Sequence, residues 1–118
     1  MQIIYPEWVW YIAEFVIEVD FESGSAQEYQ IQSYLIKAAS PEKAYEKSLD
    51  LQGRLGDSVR DEHGQAVNYN CLGLHNLDVI QEAELEDGLH LSTIHTREVT
   101  GSLSRPRLRE KNELAIFS

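Results

Sequence analysis

Cys71 and four histidines, His63, His75, His90 and His95, carry the side chains best suited to nucleophilic or metal chemistry in this sequence. A thiol nucleophile needs a base within hydrogen-bond reach and an electropositive, partly exposed setting. Cys71 instead sits in an extended run beside Tyr69 and Leu72, in an acid-rich chain, so a buried, unreactive thiol is expected. His75 shares its face only if no bulge intervenes, and even then it stands roughly 13 Å away along the strand. Zinc ligands must converge to about 2.0–2.3 Å from one metal. His90 and His95 are five residues apart and face opposite sides of a regular strand, while His63 falls in a turn. Glu14 and Glu18 share a strand face four residues apart, and Glu82 and Glu84 read as solvated. Gly24, Gly53 and Gly56 lack the strand–loop–helix context of a phosphate cradle. The expectation is therefore no catalytic residue, no metal ligand and no cofactor.

Composition narrows the partners. The 118 residues carry ten Lys and Arg against twenty Asp and Glu, a formal charge of −10. Such a surface repels phosphates, which argues against nucleic acid and anionic membranes and suits a soluble protein or one with a basic partner. One cysteine forms no internal disulfide and suggests a reducing, cytoplasmic setting. Glu7 and Glu14 interrupt the N-terminal apolar run, which reads as neither signal peptide nor membrane span. The length suits one domain, set at residues 1–100. A basic tail follows at 101–118, docked or mobile, holding Arg105, Arg107, Arg109 and Lys111.

The elements that must position any site begin with a strand from Trp8 to Phe21. Its odd positions, Val9, Tyr11, Ala13, Phe15, Ile17, Val19 and Phe21, are all apolar and define a buried face. Its even positions mix Trp8, Trp10, Ile12 and Val16 with Glu14, Glu18 and Asp20. After the turn at 22–25, a second extended run covers Gln27–Ala39, with a face change near Gln32–Ser33 that suggests a bulge or a strand entering a covered region. The two runs predict an antiparallel hairpin. Ser40-Pro41-Glu42 starts a helix that should run to about Gly53, with Ala44, Tyr45, Ser48, Leu49 and Leu51 or Gln52 toward the sheet. Lys43–Glu46, Lys47–Asp50 and Asp50–Arg54 are spaced to pair on its outer face. Residues 58–61 and Gln65–Leu72 predict a second hairpin, with Gly73 at a bend. A strand from Leu77 to Leu85 is favoured over a helix across His75–Glu84, and Leu89–Thr96 again reads as extended. The fold expected is α+β: an antiparallel sheet of four or five strands with one main helix on one face, in the order β-β-α-β-β-β. That helix should pack on Val9, Tyr11, Phe15 and Ile17.

Several motifs carry a resemblance. They are Trp10-Tyr11-x-Ala13, Tyr29-x-Ile31-x-x-Tyr34-Leu35-Ile36-x-Ala38 and Ser40-Pro41-Glu42-Lys43-Ala44-Tyr45-Glu46-Lys47. Gly64-x-x-Val67, Gly73-Leu74-x-x-Leu77-Asp78-Val79-Ile80 and Leu85-x-Asp87-Gly88 follow in turn. In that order they resemble a family of small bacterial proteins, the domain of unknown function numbered 4288, over about residues 8 to 98. The resemblance implies a bacterial cytoplasmic domain without an assigned activity, and it supplies no catalytic residues.

What remains is the even face of the first hairpin, where Trp8, Trp10, Ile12 and Tyr34 form a candidate interface. Either the tail or residues 74–85 cover it, or a partner does, since Trp and Tyr concentrate at interface hot spots. The leading expectation is a non-enzymatic interaction module, most simply a homodimer. The alternatives are a small-ligand-binding domain or uncharacterised enzyme, and an antitoxin or immunity-type protein binding a basic partner.

Overall fold

The computed structural model describes residues 8–22, 24, 27–80 and 105–118. Alternation of apolar side chains makes β1 (Val9–Phe21) the centre of the sheet. It pairs antiparallel with β2 (Gln27–Ala38) on one side and with β4 (Ala66–Val79) on the other, and β3 (Gly56–Arg60) lies outside β4. The strand order is β2-β1-β4-β3, with helix α1 (Pro41–Gln52) between β2 and β3 in sequence. This is the expected α+β sheet with one helix. The expected strand segments beyond residue 80 lie outside the described residues.

The core forms on the odd face of β1. Tyr11, Ala13, Phe15, Ile17 and Val19 are buried there with Ile36, Ala38, Ala44, Val67, Leu74, Leu77 and Leu114. Val9, expected in this set, is exposed at the strand's end.

The helix begins as its sequence requires. Ser40 Oγ accepts the Lys43 N–H at 3.2 Å, and Pro41 takes the first turn, where its missing N–H costs nothing. Ala44, Ser48 and Leu51 fall on one stripe at spacings of four and three. Ser48 is fully buried and donates to the Ala44 carbonyl at 2.8 Å. Leu49, expected to face the sheet, lies well round the helix from that stripe and is exposed. Lys43–Glu46 and Asp50–Arg54 pair as expected. Lys47 does not bind Asp50; its ammonium donates to the Lys37 carbonyl at 2.6 Å, because the helix lies against β2.

Two strands correct the sequence reading. β2 has no bulge: twelve consecutive pairs join it to β1 without a shift. Its apolar residues change face because each face meets apolar neighbours. β4 is continuous where two strands were expected, and the helical alternative fails from His75 to Val79. Its pairing with β1 shifts twice, between Glu14 and Phe15 and between Val16 and Ile17, leaving His75 and Leu72 as the extra residues. These two irregularities carry the core face from Cys71 to Leu74 and then to Leu77, the parity change that mimics a break in the strand. Gly73 lies between them at φ 148°, where a side chain is strained, and a Cβ there would stand 3.4 Å from Leu108 Cδ2.

Residues 105–118 lie along β4 where β3 no longer flanks it. The Arg109 N–H donates to the Leu74 carbonyl at 2.9 Å, and the Ala115 N–H to Asn76 Oδ1 at 3.0 Å. Leu114 is fully buried, and the Phe117 ring meets Tyr45 edge-on at 6.0 Å. Lys111 reaches Glu42 at 2.6 Å.

Candidate functional site

The described residues hold no group of three or more His, Cys, Asp or Glu able to bind a metal ion. Cys71 pairs with Ile17 on the core face and is half-buried rather than buried. Desolvation pushes its thiol up from the ordinary value, partly offset by a hydrogen bond involving Gly73. The bulges between Cys71 and His75 separate the two, and His75 Nδ1 lies 2.7 Å from the Arg107 carbonyl. His63 is exposed in the β3–β4 turn, where Asp61 Oδ1 accepts the His63 and Gln65 N–H groups at 2.8 and 2.9 Å. His90, His95, Glu82 and Glu84 lie outside the described residues.

Trp8, Trp10 and Ile12 share the even face of β1, but Tyr34 does not join them. Tyr34 pairs with Ala13 and stands on the core face, its ring 5.9 Å from Phe15 in an edge-on contact. Parity explains the error: β1 and β2 residues share a face when they pair, and Trp10 pairs with Lys37, Ile12 with Leu35. The even-face group is therefore Trp8, Trp10, Ile12, Leu35 and Lys37. The two indoles meet at 5.6 Å and 80°. Lys37 Nζ lies 4.2 Å from the Trp8 ring centre and 5.9 Å from that of Trp10, a cation–π arrangement that holds the pair at the surface. Trp8 is 40% exposed and Leu35 45%, whereas Ile12 is buried. Residues 105–118 bond elsewhere, on the helix side and the β4 edge.

On the core face a second feature appears where α1 stops short of the sheet's far end. A pocket of about 390 Å³ is lined by Ile17, Gln32, Tyr34, Tyr69, Arg54 and Asp57, among others. The Tyr34 hydroxyl donates to Gln32 Oε1 at 2.7 Å, which fixes one wall, and Arg54 is held on Asp50 at 2.9 Å. Sequence reasoning missed this pocket because its residues come from β1, β2, β4 and the junction of α1 with β3.

The family model of the domain of unknown function DUF4288 matches residues 10–92, which takes in β1, β2, α1, β3 and β4. The chain belongs to the DUF4288 family. No match to a curated protein or to a solved structure was found. The DUF4288 match begins at Trp10, so it contains most of the even-face group and all of the pocket-lining residues named above.

Proposed function

We propose that this DUF4288 domain is a non-enzymatic interaction module that self-associates through the outer side of its first hairpin. The observation that carries the reading is the cluster of exposed Trp8 and Leu35 around half-buried Trp10 on the outer side of the β1–β2 hairpin. Aromatic anchors flanked by a cation are the composition of interface hot spots, and side chains of this size are costly to leave in water. The acidic surface and single cysteine fit a cytoplasmic protein whose partners are proteins rather than nucleic acid. No described helix is long and apolar enough to cross a membrane. Sedimentation velocity over a concentration series tests the reading: wild type forms a dimer, and Trp10→Ala shifts the population toward a folded monomer. A wild type that stays monomeric at high concentration overturns it.

The pocket favours a second reading, a small-ligand site. Its volume falls in the usual range for such sites, roughly 300–1,000 Å³, with aromatic walls and the polar ends of Gln32, Arg54 and Asp57 at its margin. Amide-shift mapping with a set of small aromatic carboxylates and amines tests it. Shifts clustered on Tyr34, Arg54 and Tyr69 support a site, and none at millimolar concentrations rejects it for those classes.

A further inference from the structure

The hydrogen-bonding direction of β2 follows from its neighbours. The Ile80 N–H donates to the Trp10 carbonyl, and the Glu22 N–H to the Ala66 carbonyl, each at 2.9 Å. Even-numbered residues of β1 thus turn their backbone groups toward β4, and odd-numbered ones turn theirs toward β2. The odd residues from Val9 to Val19 pair with the even residues of β2 from Ala38 to Glu28. Tyr29, Ile31, Ser33, Leu35 and Lys37 therefore point N–H and C=O away from the sheet. Lys47 on the Lys37 carbonyl shows the same direction independently, and among the described residues it is the one hydrogen-bond partner on that edge. Edge strands are blunted by bulges, prolines, short length, charged side chains or a covering element, and of these β2 carries Glu28 near its start and Lys37, with the Lys47 contact, at its C-terminal end. From Gln27 to Ile36 it runs without a bulge or a proline.

This edge is complementary to itself. An antiparallel two-fold axis through Ser33 sets Ser33 against Ser33, Ile31 against Leu35 and Tyr29 against Lys37 of a second copy. All five residues then fall in hydrogen-bonded pairs, and the small Ser33 side chain sits at the axis. On the even face the register continues a row of apolar residues across the junction. Ile12 and Leu35 of one copy, already paired, meet Ile31 and Val16 of the other, also paired. Tyr29 joins the Trp10–Lys37 row in the same way. On the helix face Glu28 comes opposite Ala38 of the second copy, beside the carbonyl where that copy's Lys47 ammonium lies, so acid meets base twice. Shifting the axis by two residues pairs Leu35 with Gln27 or Ile31 with Ala39, at or past the strand's ends, and breaks the apolar row.

We infer that two copies of this chain join edge to edge through β2, antiparallel and centred on Ser33, so that the four described strands of each form one continuous sheet. The inference rests on the self-association reading above and names its register. Hydrogen-bonded antiparallel residues lie about 5.5 Å apart at Cα, inside the roughly 4.4–6.8 Å range of disulfides. Ser33→Cys in a Cys71→Ala background should therefore cross-link to a covalent dimer under mild oxidation. An equimolar mixture of Ile31→Cys and Leu35→Cys should cross-link several-fold more than either alone. Val59→Cys, on the exposed far strand β3, should not. Sedimentation of the unoxidised proteins separates the two failures. A monomer that gives no cross-link overturns self-association itself. A dimer whose Ser33→Cys form cross-links no better than Val59→Cys overturns the β2 register and leaves self-association standing.

Discussion

The sheet's two sides are finished differently. Beyond β4, the five-residue β3 covers one half, and residues 105–118 cover the other with a backbone bond at Leu74 and side-chain bonds at His75 and Asn76. The strand beneath is kinked twice, so it offers no regular ladder to another chain. At β2 the ladder is regular, and among the described residues one lysine, Lys47, bonds to its outer edge. Edges are normally protected because they template pairing. Among the described residues the outer strands are β2, with twelve regular residues, and β3, with five, so β2 is the side long enough to carry a pairing partner.

The comparison breaks most completely if the shared core is opened. Phe15, fully buried under the centre of the sheet, supports both sides. Phe15→Ala should lower stability by about 3–5 kcal/mol in denaturant melts, through lost transfer energy and a cavity. Leu114→Ala should act on the closed side, at about 2–4 kcal/mol, because Leu114 is fully buried; it should leave association unchanged. Leu35→Ala should act on the open side, where exposed Leu35 meets Ile31 of the second copy in the proposed register. Its expected cost is about 2 kcal/mol in the dimer constant, on the scale of a hot spot, with little change in the melt of the monomer. Ser33→Pro sharpens the contrast. It removes an N–H that points away from β1, so it is tolerated in an edge strand, and it should abolish dimers in sedimentation while the fold persists.

The smallest effect is titration of the closed side. The backbone N–H of Glu110 first, then Arg107 and Arg109, hold the Glu113 carboxyl below its ordinary value. A depressed carboxylate stabilises above its unfolded pKa, and the stabilisation is lost as pH falls through the folded value. The melting difference between wild type and Glu113→Gln should shrink as pH is lowered below the usual carboxylate range.

The hairpin, helix start and helix length were legible because each has a local signal: strict alternation in β1, and Ser40-Pro41-Glu42 before an i, i+4 stripe. The single strand β4 was not, because two extra residues reverse its parity and make one strand read as two. Tyr34 was misplaced for a related reason. Which face it shares with Trp10 depends on pairing register, and that register is set by a turn the composition locates without fixing its length. The pocket gave no signal, since four separate segments meet there. The outer place of β2 among the described strands was also invisible, because sequence shows which residues alternate but not the order of strands in the sheet.

Amide hydrogen exchange along β2, followed by NMR as the protein is diluted, tests the central claim most directly. The N–H groups of Tyr34 and Ile36 point toward β1 and should stay protected at every concentration. Those of Ile31, Ser33 and Leu35 point outward, and they should be protected in concentrated solution and lose that protection on dilution. Outward amides that exchange equally fast at all concentrations would contradict pairing through β2.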